Sequence, residues 1–206
     1  MKLFGLTGGI GMGKSAAAEI LTRRGVGLVD TDALARAVVE PGQTALREIQ
    51  GAFGDAVITA DGRLHREALA GIVFADTAAR LKLEAITHPR IRELWHEQIA
   101  QWRTQQIPIA CVVIPLLFET NAETEFDATI CVACSAATQR ERLRERGWTA
   151  EQTGQRIAAQ WPVEKKMAKA SLVVWNEGSR EILAAQLEAI LARPNPVGAS
   201  SNRVSG

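Results

Sequence analysis

Apolar residues near the start of the chain fall into two short runs, 2–6 and 26–30. Between them lies a segment, 14–24, in which Ala17, Ile20, Leu21 and Arg24 recur at helical spacing. The pattern predicts a strand, a glycine-rich loop, a helix stopped by Gly25, and a second strand. Asp30-Thr31-Asp32 ends that strand, and the Asp32 carboxylate is placed to cap a helix over 33–40 that Pro41-Gly42 terminates. From 43 to 102 the period becomes helical, with Leu46, Ile49 and Phe53 on one face and Leu69, Ile72 and Val73 on another. Thr87-His88-Pro89 predicts the start of the strongest of these helices, because proline suits a first turn and Ile91, Leu94, Trp95, Ile99 and Trp102 follow at helical spacing. Those tryptophans read as core. The β-branched runs 109–114 and 128–133 predict central strands covered on both faces, and 172–175 a fifth strand. A closing helix follows, with Ile182, Leu183, Leu187 and Ile190 inward and a stop at Arg193-Pro194.

This order predicts an α/β protein, a three-layer core around a five-stranded parallel sheet in which strand two neighbours strand one. The core is expected at 1–31, 106–135 and 171–193, a helical acceptor-binding insertion at 32–105, a helical lid at 136–170 and a disordered tail at 194–206. A net charge of +1 argues against a nucleic-acid surface spread over the molecule, and no apolar run suits a bilayer, so neither nucleic acid nor membrane is an expected partner. The opening residues are too short an apolar run for a secretory leader, and a cytoplasmic location is expected. Cys111, Cys131 and Cys134 each lie in a strand-like run and are expected to be buried, reduced thiols. Cys131 and Cys134 do not suit a metal or redox pair, since residues three apart in a strand point to opposite faces.

Gly8-x-x-x-x-Gly13-Lys14-Ser15, between a strand and a helix, fits a phosphate-binding loop. Removing Cβ atoms lets backbone N–H groups close on a polyphosphate, and the helix N-terminus adds partial positive charge. Lys14 would reach the outer phosphates and Ser15 would offer its hydroxyl to a magnesium ion bridging them. Asp32, at a strand's carboxyl end, could take an alcohol's proton, and Arg36 one helical turn on could hold that carboxylate or an incoming phosphate. The basic segment carrying Arg142 and Arg146 suits a closing lid that neutralises charge during phosphoryl transfer.

Beyond the loop, "VDTDALARAVVEPG", "THPRIR", "IPLLFE", "QRERLRERG", "RIAAQWPVEKKMAKA" and "WNEG" occur in an order that resembles the dephospho-coenzyme A kinase family along nearly the whole chain. The resemblance implies a P-loop kinase fold and ATP-dependent phosphorylation of the ribose 3′-hydroxyl of dephospho-coenzyme A, with ATP and Mg2+ as the ligands. It implies an ATP-phosphate site at Gly8, Gly9, Gly11, Met12, Gly13, Lys14, Ser15 and Ala16, with Asn176 near the adenine, and makes Asp32 the base. Arg142 would approach the transferring phosphate, and His88, Arg90, Leu117 and Glu119 would border the coenzyme site. A monomer or weak homo-oligomer is expected. Met12, Ala16 and Ser171 depart from the family's usual serine, threonine and aspartate. Two other readings are another small-acceptor kinase and a guanine-nucleotide switch; for the switch, Trp175-Asn176-Glu177-Gly178 lacks the guanine-reading lysine and aspartate.

Overall fold

In a computed structural model describing residues 1–193, β1 (Lys2–Gly8) runs into the glycine loop and α1 (Lys14–Arg23). The predicted tail lies outside the described residues. β2 (Gly27–Asp30) leads to α2 (Thr31–Ala37), α3 (Thr44–Phe53), α4 (Arg66–Ala75) and α5 (Thr77–Thr104). The chain returns through β3 (Ile109–Val113) and β4 (Ala128–Ala133), then α6 (Ala136–Glu145), α7 (Ala150–Ala158) and α8 (Val163–Lys169). It closes with β5 (Leu172–Trp175) and α9 (Arg180–Leu191).

The sheet order is β2-β3-β1-β4-β5, with β1 parallel to β3 and β4, and β4 parallel to β5. The expected neighbour of β1 was β2; instead β3 lies between them, because the crossover through the inserted helices brings β3 back beside β1. Strand alternation then divides the core. Phe4, Leu6, Cys111, Val113, Ile130 and Val132 pack under Ala17, Ile20 and Leu21 of α1 and Leu183, Leu187 and Ile190 of α9. On the other face Leu117 lies so close over Gly5 that a Cβ there would collide with it. Ala133 meets Val163 and Met167 of α8 across the same face.

Among the described residues two compact units result, one comprising Asp30–Gln101 and the other Met1–Val29 with residues 102–193. Within the first, Val38, Val39, Ala45, Ile49, Val57 and Leu69 form a separate core. Trp95 and Trp102 are buried, as read from their spacing.

Two helix starts differ from expectation. Asp30, not Asp32, caps α2: its carboxylate accepts from the Asp32 N–H at 2.9 Å, so the helix begins at Thr31 and ends at Ala37. Pro89 lies inside α5 rather than at its start. Asp76 supplies the cap, accepting from the Ala78 N–H at 2.7 Å, and the alanine- and leucine-rich turns that follow are strong helix formers. Among the described residues no helix is long and apolar enough to cross a membrane.

Candidate active site

The glycine loop turns at the carboxyl end of β1, where an open parallel sheet binds its ligands. Gly13 precedes α1 in a left-handed conformation, φ 100°, and a Cβ there would overlap the side-chain amide of Asn176. Gly8 is equally restricted, since a Cβ would run into the carbonyl oxygen of Val132. Lys14 arches back, its Nζ donating to the carbonyls of Gly8 (2.9 Å) and Gly9 (3.0 Å). A flexible ammonium held over a ring of backbone groups is placed to exchange those carbonyls for phosphate oxygens. Ser15 is exposed in the first helical turn.

Three side chains brace this loop, and only one was singled out from sequence. Gln139 of α6 donates to the Ile10 carbonyl at 2.7 Å, and Gln160, after α7, accepts from the Ile10 N–H at 3.1 Å. Asn176 donates to the Met12 carbonyl at 2.9 Å, so its amide supports the loop from below. The glutamines escaped notice because glutamine in a polar helix reads as surface; Gln139 is in fact buried. Met12 is buried against Ala133, Cys134, Val163 and Met167, an apolar niche that accounts for a thioether where serine is usual. Ser171, another departure, exchanges hydrogen bonds with Thr129: its Oγ accepts from the Thr129 N–H (3.1 Å) and its N–H donates to Thr129 Oγ1 (3.0 Å).

Arg142 is the notable charge here. Its Nη2 donates to the Asn176 carbonyl at 3.1 Å, whereas Nη1 is buried with no hydrogen-bond acceptor among the described residues. Nη1 lies 3.7 Å from where a Cβ on Gly13 would stand. An unsatisfied guanidinium nitrogen beside a helix N-terminus is costly unless an anion completes it. Glu177, also near, serves α6: it accepts from the Ser135 N–H (2.8 Å), the Ser135 hydroxyl (2.8 Å) and the Thr138 hydroxyl. The Ser135 N–H above all, then those hydroxyls, holds its carboxyl below the usual carboxylate range.

At the corner after β3, Leu117 is fully buried and belongs to the core rather than to a ligand-facing surface. Glu119 is ion-paired with Lys166 at 2.8 Å. The three thiols are free and buried, as expected. Burial pushes Cys111 up to about 12 and Cys131 to about 11.

In the helical unit, Asp32 is exposed in the first turn of α2 and Arg36 is exposed in its last. His88 is exposed within α5, so it caps nothing. Arg90 is held locally, donating to Glu48 (2.7 Å) and to the Ile86 carbonyl (2.5 Å).

A family model described as dephospho-CoA kinase matches residues 2–181. The dephospho-CoA kinase of Anaeromyxobacter dehalogenans is 47% identical over 193 residues, 93% of this chain and 92% of that protein. Among solved structures, a Thermus thermophilus protein matches with a TM-score of 0.82 at 36% identity. Dephospho-CoA kinase from Campylobacter jejuni matches with a TM-score of 0.68 at 25% identity. Both structural matches cover 93% of this chain and 96% of the other. The glycine cradle, its lysine and the arginine beside it therefore sit in a sequence and a fold shared along almost the entire length with these kinases, and the chain belongs to the dephospho-CoA kinase family.

Proposed function

We propose that this chain transfers the terminal phosphoryl group of ATP to the ribose 3′-hydroxyl of dephospho-CoA, the last step in making coenzyme A, in the cytoplasm. The observation that carries the reading beyond the family match is the positive pocket formed by the Gly8–Gly13 turn, Lys14 and the unpartnered Nη1 of Arg142. A triphosphate supplies the oxygen acceptors that this nitrogen lacks among the described residues.

In this mechanism the loop amides and Lys14 hold the phosphates, and Arg142 stabilises charge as the γ-phosphoryl group departs. The lid, 136–170, excludes water. Asp32 accepts the proton of the attacking hydroxyl; its place just beyond the carboxyl end of β2, with Asp30 taking the capping duty, supports that role. Arg36, His88 and Arg90 of the helical unit contribute to holding the acceptor. Magnesium fits the exposed hydroxyl of Ser15 at the start of α1, and when bound would neutralise phosphate charge.

The test is an acceptor panel: ADP release from MgATP with dephospho-CoA, AMP, pantothenate or no acceptor. Dephospho-CoA should stimulate release far above the rest. Equal or greater stimulation by AMP would favour a nucleoside-monophosphate kinase instead.

A further inference from the structure

Lys166 of α8 is fully buried, yet the sequence gives it no role beyond a basic lid. Its ammonium meets Glu119 Oε1 at 2.8 Å and donates to the Pro115 carbonyl at 2.7 Å. Both acceptors are shared. Glu119 Oε1 also accepts from the Trp161 N–H at 2.9 Å, and the Pro115 carbonyl also accepts from the Thr7 hydroxyl at 3.0 Å. Thr7 is itself fully buried and directly precedes Gly8, the residue that ends β1. Trp161 directly follows Gln160, whose Oε1 receives the Ile10 N–H.

One buried cation thus reaches the phosphate loop by two routes, at its entrance through Pro115 and Thr7 and at its crest through Glu119, Trp161 and Gln160. The corner between α7 and α8 is further fixed by Trp161, whose ring carries the Lys165 ammonium at 3.4 Å from its centroid. Lys169 continues the grip by pairing with Glu123. A buried ion pair seldom improves stability over apolar packing of the same volume, so its value lies elsewhere, in fixing one arrangement of the groups it joins.

We propose that Lys166 is a positioning residue for nucleotide binding, holding the phosphate loop in its anion-ready shape through Glu119 and the Gln160–Trp161 corner. The effect is preorganisation: a loop already ordered loses less entropy on binding. The inference rests on the proposed use of ATP and concerns residues that touch no phosphate.

Isothermal titration of the full chain with ATP tests it, with circular dichroism confirming that each variant is folded. Lys166→Met and Gln160→Ala should each weaken ATP binding about tenfold, the loss of one such ordering contribution. The double variant should lose little more than either alone, since both act along one route. In steady state the KM for ATP should rise while kcat at saturating ATP moves less than about threefold. If Lys166→Met strands Glu119 and fails to fold, Glu119→Gln/Lys166→Met removes both charges together and should show the same tenfold loss. Folded variants with wild-type ATP affinity and only a lower melting temperature would overturn the proposal, as would losses that multiply in the double variant. Failure of the unmodified chain to bind ATP is a separate result, which would sink the kinase reading and this inference together.

Discussion

At the scale of single residues, backbone geometry restricts the glycines of the phosphate loop. Gly13 combines a positive φ with the Asn176 amide on its open side, so Gly13→Ala must strain the turn and displace a brace. The strain alone is about 1–2 kcal/mol, which should lower the melting temperature by about 3–6 °C and reduce ATP affinity more than tenfold. Calorimetry on one preparation measures both, and unaltered affinity would show that the loop tolerates a side chain. Asp32 is the complementary case. Asp30 keeps the cap of α2, so Asp32→Asn leaves that hydrogen bond in place, while kcat should fall about a hundredfold or more if Asp32 is the base. A kcat within a factor of a few would remove it from the chemistry. The loop glycines and Lys14 were legible from spacing because each answers a local demand of the backbone or of charge. Gln139, Gln160 and Lys166 were not, because their partners lie far away in sequence.

At the scale of elements, alternation and helical period located strands and helices well where local rules act alone. They failed where a local signal had two meanings. Pro89 suits a first turn but is also tolerated inside a helix whose preceding turns and Asp76 cap already favour it. The order of strands was illegible for a stronger reason, since pairing joins residues distant in sequence: Leu3 pairs with Ala110. The start of α6 gives an element-scale prediction. Glu177 is held below its ordinary value, first by the Ser135 N–H, so its charged form is favoured in the folded state. Its contribution is therefore complete above the unfolded carboxylate value, about 4.3, and is lost as pH falls through the lower folded value. A melting series from pH 6 downward should show a shallower acid decline for Glu177→Gln than for the unmodified chain. Parallel curves would mean that the hydrogen bonds at Ser135 and Thr138 do not depend on its charge.

At the scale of the molecule, the chain comprises a parallel-sheet unit that carries the glycine loop, Lys14 and Arg142, and a helical unit that begins at Asp30. The dense sheet core also silences its thiols. With Cys111 pushed up to about 12 and Cys131 to about 11 by burial, and Cys134 raised in the same way, a thiol reagent at pH 8 should react slowly with the native protein. In guanidinium all three cysteines should react at once; one fast thiol in the native state would reveal an opening of the core around the interior strands β3 and β4. Phosphorus NMR of the reaction mixture shows which hydroxyl receives the phosphoryl group. With MgATP and dephospho-CoA, the spectrum should gain ADP and a single new phosphomonoester, coupled to the ribose 3′ proton, in equal amounts. Phosphate appearing on another hydroxyl, or released as the free ion while dephospho-CoA stays unchanged, would rule out transfer to the ribose 3′-hydroxyl.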